Sequence, residues 1–309
     1  MNSLTRDMDV PAQDKKQPVK IFNSEKVINA NTTEVVPRGK MEFNVSHNFQ
    51  DIAGSGGGIK NFFGLDKASD VRIGFHIGLT DRLNLNVAHI KGDEIRLRPD
   101  TLPNGAVELL PDKLYEIALK YQLLRQLEKD PSHPVSLTLF INTVISTVKA
   151  VPGNNPRNFQ NFGDRMSQVY QLILAKKIGK ISLQLNPTLV HHNYVPTYDD
   201  PTTFALGGAM RIPFSQKFAM VVDYFHSFIS DTKETNYFNN RLVKFHDALG
   251  VGFEIMTAGH VFTLKFTNTT AILENQFIPY NSNSWGKGQY RWAFNISRKF
   301  SLWRPKSSK

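Results

Sequence analysis

Alternation of apolar and polar residues over positions 70–91 is the sequence feature that most constrains the fold. In its first half every second residue is apolar: Val71, Ile73, Phe75, Ile77 and Leu79. Because successive side chains of a strand point to opposite faces, one face here is apolar and the other is polar or small. A turn at residues 80–82 leads to a second alternating run at 83–88. The pattern predicts a hairpin whose strands approach the length of a tilted membrane-crossing strand, roughly 9–11 residues.

Comparable alternating runs continue through the chain and predict twelve strands. The short connections are predicted at residues 80–82, 124–134, 176–180, 213–217 and 257–259, and the longer ones begin near residues 51, 92, 148, 193, 230 and 270. Short turns at one end and long loops at the other are typical of outer-membrane barrels, whereas a soluble sandwich does not sort its loops by side. The predicted fold is therefore all-β: a transmembrane antiparallel up-and-down β-barrel of about 12 strands, with short periplasmic turns and longer outer loops.

The composition agrees with a membrane-spanning barrel. The 309 residues include 22 Phe, 9 Tyr and 3 Trp, although the mean hydropathy is negative. No run approaches the roughly 18 consecutive apolar residues of a membrane helix. A barrel reconciles these facts, because only half of the residues in each strand face lipid. The absence of cysteine excludes disulfides, cysteine-based zinc sites and thiol catalysis.

The net charge of +10 raises the question of nucleic-acid binding. The basic residues do not interleave with aromatic ones. They lie at strand ends and in turns, as at Lys176, Lys177, Arg298 and Lys299. This distribution favours a solvated rim, or attraction to anionic lipid headgroups, over a nucleic-acid groove. Outer-membrane lipid is thus the expected partner, and no nucleic acid is expected.

Four regions follow from the pattern. Residues 1–24 are polar and aperiodic and predict a flexible periplasmic tail. Residues 25–38 predict a segment in the barrel lumen, residues 39–303 the barrel itself, and residues 304–309 a basic tail. The N-terminus shows no apolar signal-peptide core, so we take the sequence as the mature form of an exported protein of the bacterial outer membrane.

Small inward residues on the eighth and tenth predicted strands indicate that something else enters the lumen. They are Ala205, Gly207, Ala209, Ala248, Gly250 and Gly252. Glycine weakens a strand unless another backbone or a ligand must come close. We predict that residues 22–36 fold into the lumen from the periplasmic side and plug or narrow it. The alternative is a disordered tail, with the small residues only relieving crowding in a narrow barrel.

Charged residues also point inward by parity. They are Glu42, Asp70, Arg72, Glu116, Lys120, Arg211, Asp223, Glu254, Lys265 and Arg291. Ions inside a barrel must pair or be hydrated, because burying an isolated charge costs several kcal/mol. Acids and bases are balanced, so no single-sign ring of the kind that gives strong ion selectivity is present. Two interpretations remain: a network that only holds the barrel in shape, or a lumen that conducts solutes.

The histidines do not form a metal site in this pattern. His191 and His192 are adjacent, so in a strand they point to opposite faces and cannot bind one ion together. His47, His89, His191 and His226 all fall on the lipid side near the outer strand ends. An interfacial girdle is the better interpretation, because an amphipathic ring suits the interface.

Two enzymatic interpretations do not fit the pattern. A barrel phospholipase needs an outward serine beside a histidine, but Ser182 and Ser227 point inward by parity. The glycine-rich residues 54–60 lack the Gly-Lys-Ser/Thr ending of a phosphate-binding loop and predict a flexible outer loop. No catalytic residue, metal or cofactor is predicted.

Several segments resemble a family of outer-membrane β-barrels from Bacteroidota whose domain has no assigned function. They are TTEVVPRGKMEFNVSHNF, KYQLLRQ, LQLNPTLVHHNYVPT, GHVFTLKFTN and WGKGQYRWAFNISRKF, in this order, and the resemblance spans roughly residues 26–302. These are strand and turn segments without a catalytic signature. The resemblance implies fold and location and supplies no activity or functional residues.

The sequence thus predicts a non-enzymatic membrane protein. The leading hypothesis is a small, weakly selective or gated channel for polar solutes, because a barrel of this strand number can enclose a ligand-sized space. The alternative is a membrane anchor or assembly partner that binds another envelope protein through its tail or outer loops. The oligomeric state does not follow from the sequence.

Overall fold

The structure is a computed structural model that describes residues 17–53, 57–95, 109–154, 156–239 and 244–303. For residues 93–95, 109–112 and 237–239 it describes the backbone only. The predicted tail at residues 1–16 and the basic residues 304–309 lie outside the described residues.

The described part of the chain forms twelve strands. They are β1 (Lys40–Asp51), β2 (Ala68–Gly78), β3 (Leu83–Ile95), β4 (Leu109–Leu124), β5 (Ser136–Ser146), β6 (Met166–Ile178), β7 (Ile181–His192), β8 (Thr202–Pro213), β9 (Phe218–Phe228), β10 (Ala248–Met256), β11 (His260–Thr267) and β12 (Arg291–Ser301). Each strand pairs antiparallel with its sequence neighbours, and β1 pairs with β12 to close the barrel. The predicted twelve-stranded up-and-down barrel is confirmed.

In strand β7, polar residues face the barrel interior and apolar residues alternate with them on the outer wall. Ser182, Gln184 and Asn186 are buried in the barrel, whereas Leu183 and Leu185 are exposed on its outer wall. Exposed leucine on one face and buried amide on the other is the reverse of a water-soluble sheet, and it fits a wall that faces lipid.

The two ends of the barrel differ in their connections. At one end, called here the short-turn end, the strands are joined by residues 79–82, 125–135, 179–180, 214–217 and 257–259. At the other, the long-loop end, the connections span residues 52–67, 96–108, 147–165, 193–201, 229–247 and 268–290. The predicted sorting of short and long connections is confirmed with one exception, because residues 125–135 at the short-turn end outnumber residues 193–201 at the long-loop end.

The loop predicted at residues 92–112 is shorter than expected. β3 continues to Ile95 and β4 starts at Leu109, with Gly92 opposite Asp112 in the ladder. The polar composition of this stretch gave no sign that β3 and β4 extend into it, because backbone pairing does not need an apolar face.

Helices are few in the described ranges. The long loops contain α1 (Asp231–Asn239) and α2 (Glu274–Tyr280), and single 3-10 turns occur at Ile59–Gly64, Phe162–Arg165 and Trp285–Lys287. None of the helices in the described chain is long and apolar enough to cross a membrane.

Candidate functional site

Residues 21–36, called here the plug, lie inside the barrel. Ile21, Phe22 and Ile28 are buried. The middle of the plug turns back on itself: Val27 N donates to Ala30 O (2.9 Å) and Thr32 N donates to Glu25 O (2.9 Å). Burial begins at Ile21, four residues before the start predicted for the lumenal segment. The β-prone residues form no regular strand here, because the barrel wall takes up their backbone groups.

The tip of the plug sits in a polar cradle near the middle of the strands. The carboxylate of Asp223 on β9 accepts from the backbone N–H groups of Asn29 (2.5 Å) and Ala30 (2.8 Å). From the neighbouring strands β11 and β12, Lys265 Nζ donates to Ile28 O (3.1 Å) and Asn295 Nδ2 donates to Val27 O (3.2 Å). The wall therefore satisfies both the donors and the acceptors of the turn, which water would otherwise have to do.

Glycine at position 250 makes room for this tip. A Cβ atom there would lie 2.5 Å from Ile28 Cγ2 and 2.8 Å from Asp223 Oδ1. The other small positions have different neighbours: a Cβ at Gly207 would meet the Phe225 ring at 2.3 Å, and one at Gly252 would meet Leu264 O at 2.6 Å. The three alanines, Ala205, Ala209 and Ala248, are buried in the apolar cluster that includes plug residues.

A second anchor holds the stem of the plug. Glu25 Oε2 lies 2.8 Å from His76 Nδ1 and 3.5 Å from Lys120 Nζ, and Asn84 Nδ2 donates to Glu25 Oε1 (2.5 Å). Burial raises the pKa of the Glu25 carboxyl, but Lys120 and His76 outweigh it and hold this pKa below its ordinary value. The plug carboxylate is therefore held by Lys120, His76 and Asn84 of the wall.

All ten predicted inward charges are buried in the barrel, and they form separate groups. Pairs within the wall are Arg72–Glu116 (2.8 Å), Arg211–Glu254 (2.8 Å), Arg291–Asp51 (2.5 Å) and Lys299–Glu42 (3.5 Å). Asp223, Lys265 and Lys120 bind the plug, and Asp70 Oδ2 accepts from Ile272 N of a long loop (2.8 Å). Several wall charges thus depend on inserted segments for their partners.

One sector of the inner wall is apolar, whereas the inward residues identified from the sequence were charged or small. Phe140, Val169, Ile173, Val190 and Phe225, on β5–β9, are buried in one cluster with Phe22, Val27 and Ile28 of the plug. This sector explains why the alternation of β6 is weak in sequence: both of its faces carry apolar residues.

Helix α2 enters the lumen from the long-loop end and meets the plug. Glu274 Oε1 lies 3.2 Å from Lys26 Nζ and accepts from Asn31 Nδ2 (3.0 Å). Phe277 contacts the Phe225 ring edge-on, with centroids 5.3 Å apart. The sequence placed Glu25 and Lys26 in the predicted lumenal segment without naming their partners, and it did not indicate Glu274 as a lumenal residue. The apolar spacing of Ile272, Leu273, Phe277 and Ile278 within a polar loop was the available signal for α2.

A buried lysine fixes the loops above α2. Lys233 Nζ of α1 lies 2.7 Å from Asp199 Oδ1 and 4.5 Å from the centre of the Tyr280 ring, and Tyr280 OH donates to Asp199 Oδ2 (2.8 Å). Three long loops meet in this contact, which holds α2 in place at the long-loop end.

The four outward histidines lie where parity placed them. His47 stacks on Phe294 (5.3 Å between centroids) and His89 tilts on Tyr115 (5.0 Å). His191 contacts Thr202, and His226 Nδ1 lies 3.0 Å from Asp247 Oδ2. Within the described ranges, no group of three or more histidine, aspartate or glutamate side chains is arranged to hold a metal ion.

Comparison with known families agrees with this architecture. The family model described as "Membrane bound beta barrel domain (DUF5777)" matches residues 22–300. This chain belongs to that family. The match begins at Phe22, so the DUF5777 domain includes the plug as well as the strands.

Solved structures with similar barrels include the KdgM porin (7% identity, TM-score 0.48, covering 84% of this chain and 99% of that one). Others are the COG4313 outer membrane channel from Pseudomonas putida F1 (12%, 0.49, 87% and 98%) and outer membrane phospholipase A from Escherichia coli (10%, 0.41, 84% and 91%). At these identities the likeness says nothing about activity. No curated protein matches the sequence.

Proposed function

We propose that this chain is a gated channel for polar solutes, closed by the plug and α2. The observation that carries this proposal is the cradle of the plug tip. Asp223, Lys265 and Asn295 bind backbone groups of Asn29, Ala30, Ile28 and Val27 through hydrogen bonds that water or a polar solute could replace. The tip can leave this part of the wall solvated, while opening also has to separate Phe22, Val27 and Ile28 from the apolar sector of the wall.

The membrane is the bacterial outer membrane in this proposal. Short turns and long loops at opposite ends are the arrangement of outer-membrane barrels, whose short turns face the periplasm. The plug then enters from the periplasmic side, and α2 enters from the outside.

Weak selectivity follows from the wall charges. Five of the ten inward charges are acidic (Glu42, Asp70, Glu116, Asp223 and Glu254) and five are basic (Arg72, Lys120, Arg211, Lys265 and Arg291). A pore with balanced charge does not strongly favour either sign of ion.

Planar-bilayer recordings test the channel directly. The full chain and a variant lacking residues 1–36 are compared with a lipid-only control. We expect rare, brief openings from the full chain and frequent conductance from the shortened variant. Bilayers that stay at the lipid-only baseline with both proteins would contradict the proposal.

A second candidate is a membrane anchor or assembly partner for another envelope protein. It is favoured by the filled lumen and by the pairing of the chain before the plug with a short turn: Val19 N donates to Gln126 O (2.8 Å) and Glu128 N donates to Gln17 O (3.0 Å). This pairing places residues 17–19 at the short-turn end. Pull-down from native membranes with crosslinking tests it, and recovery of the barrel alone counts against it.

We do not propose an enzyme. His47 and His89 lie against aromatic rings, and His226 is bound by Asp247. These contacts support an interfacial role for the outward histidines.

A further inference from the structure

A cavity of about 170 Å³ opens at the short-turn end, between the plug and the barrel rim. Lys20, just before the plug, and Glu34, near the end of the plug, line it on one side. Gln122 and Arg125, at the end of β4 and just after it, line it on the other. The plug is fixed beside it, since Gln122 Nε2 donates to Thr33 O (2.9 Å). Its volume is several times the roughly 30 Å³ share of one water molecule, so a small polyatomic ion fits.

The charges around this cavity are predominantly positive. The Arg125 guanidinium donates to uncharged oxygens, from Nε to Gln122 Oε1 (2.5 Å) and from Nη2 to the Asp81 carbonyl. The carboxylate of Glu34 is turned to the backbone, where its Oε1 accepts from Ile21 N (3.0 Å) and Phe22 N (3.1 Å). A further ammonium approaches, because Lys177 Nζ donates to Lys20 O (3.5 Å).

The pKa values of Lys20 and Arg125 are both lowered. Burial, and then the nearby Lys299, lower the pKa of the Lys20 ammonium. Burial, and then Arg82, lower the pKa of the Arg125 guanidinium. Glu34 acts in the opposite direction on both pKa values without offsetting these effects, so a bound anion would further stabilise the two charged groups.

We propose that this cavity is a binding site for a phosphate group, held between Lys20 of the chain leading into the plug and Arg125 of the barrel. The planar guanidinium presents paired N–H donors that match two phosphate oxygens, and the lysine adds a point charge from the opposite side. Because Lys20 leads directly into the plug and Arg125 belongs to the rim, a bound phosphate clamps the plug to the barrel. The site is independent of whether the barrel conducts.

Calorimetric titration of the full-length protein in detergent, at low ionic strength, tests the site with inorganic phosphate and pyrophosphate as probes and chloride as the reference anion. We expect Arg125→Gln and Lys20→Gln each to weaken phosphate binding by about tenfold or more, since each removes a charged hydrogen-bond partner. Arg125→Lys keeps the positive charge but loses the paired N–H donors of the guanidinium. Its affinity for phosphate should therefore fall between those of wild type and Arg125→Gln. Lys217→Gln, an exposed lysine on another short turn, is the matched control and leaves the affinity unchanged.

Heat-modifiable gel mobility shows that each variant is folded before it is titrated. Phosphate heats no larger than those of chloride, or equal affinities for wild type, Lys20→Gln and Arg125→Gln, would overturn the proposal. Vesicles separate two sources of the phosphate group. Displacement of bound phosphate by phosphatidylglycerol vesicles and not by phosphatidylcholine vesicles supports a lipid headgroup, and displacement by neither supports free phosphate. Calorimetry measures phosphate binding independently of conductance, so the outcome for this site holds even if the barrel does not conduct.

Discussion

Lys26 Nζ lies 3.2 Å from Glu274 Oε1, and this buried ion pair joins the N-terminal plug to helix α2 of a long loop. The two residues are 248 positions apart and reach the lumen from opposite ends of the barrel. Lys26 Nζ also donates to Ile272 O (3.2 Å), and Asn31 Nδ2 donates to Glu274 Oε1 (3.0 Å). The plug and α2 therefore bind each other inside the lumen. Displacing either segment leaves a buried charge of the other without its counterion.

Glu274→Leu should loosen the plug although the sequence of the plug itself is unchanged. The substitution leaves the Lys26 ammonium buried without its counterion, which costs about 3–5 kcal/mol for a pair of this kind. Hydrogen exchange measured by mass spectrometry should show loss of protection at residues 24–33. The double variant Lys26→Met/Glu274→Leu removes both charges and should recover much of the protection. Equal exchange in wild type and Glu274→Leu would show that α2 does not support the plug.

Gly250→Ala should displace the tip of the plug. The added Cβ would come within 2.5 Å of Ile28 Cγ2, so we expect overpacking to destabilise the seated tip by roughly 1–3 kcal/mol. Exchange at residues 27–30 should accelerate. Gly208→Ala is the matched control, because its Cβ would meet nothing nearer than Gln184 O at 3.4 Å. Similar protection of the tip in both variants would refute the close contact at position 250.

Arginine on the outer wall should block or weaken assembly. Phe253→Arg places a cation at the lipid-facing middle of β10, at a cost of about 2–4 kcal/mol. Leu85→Arg places one near the short-turn end of β3, where the cost is smaller. Phe253 is exposed on the outer wall, so Phe253→Leu, which keeps an apolar side chain there, is the control. Unchanged heat-modifiable gel mobility of the arginine variants would contradict the assigned facing.

Epitope insertion tests the proposed orientation in the outer membrane. An epitope after Gly57, in a long loop, should be labelled by antibody on intact cells. One after Arg82, in a short turn, should be labelled only after permeabilisation. The opposite labelling pattern would invert the orientation.

The strands were predictable because lipid and lumen impose opposite polarity on alternate residues. Residues such as Leu183 and Gln184 therefore report their side directly. The facing of the inward charges followed from the same parity. The partners of these charges did not follow, because parity assigns Lys120 to the lumen but says nothing about Glu25, which reaches it from a segment without periodicity.

The apolar sector and α2 escaped prediction for a related reason. Phe140 and Ile173 face inward against Phe22 and Ile28, so their positions make sense only once the plug is in place. Glu274 lies in a polar loop, and its burial depends on Lys26, which is distant in sequence. Long-range pairing of this kind leaves no local pattern.

A reversible crosslink between plug and wall tests the gated channel most directly. The chain contains no cysteine, and a Cβ at position 250 would lie 3.2 Å from Ile28 Cβ, a few tenths of an ångström below the roughly 3.5–4.5 Å range of disulfides. The full-length Ile28→Cys/Gly250→Cys variant is recorded in planar bilayers, oxidised and then reduced, beside each single-cysteine variant. We predict silence when oxidised and openings when reduced, with no redox effect in the single variants. Conductance that is the same in the oxidised and reduced states would contradict a channel gated by the plug.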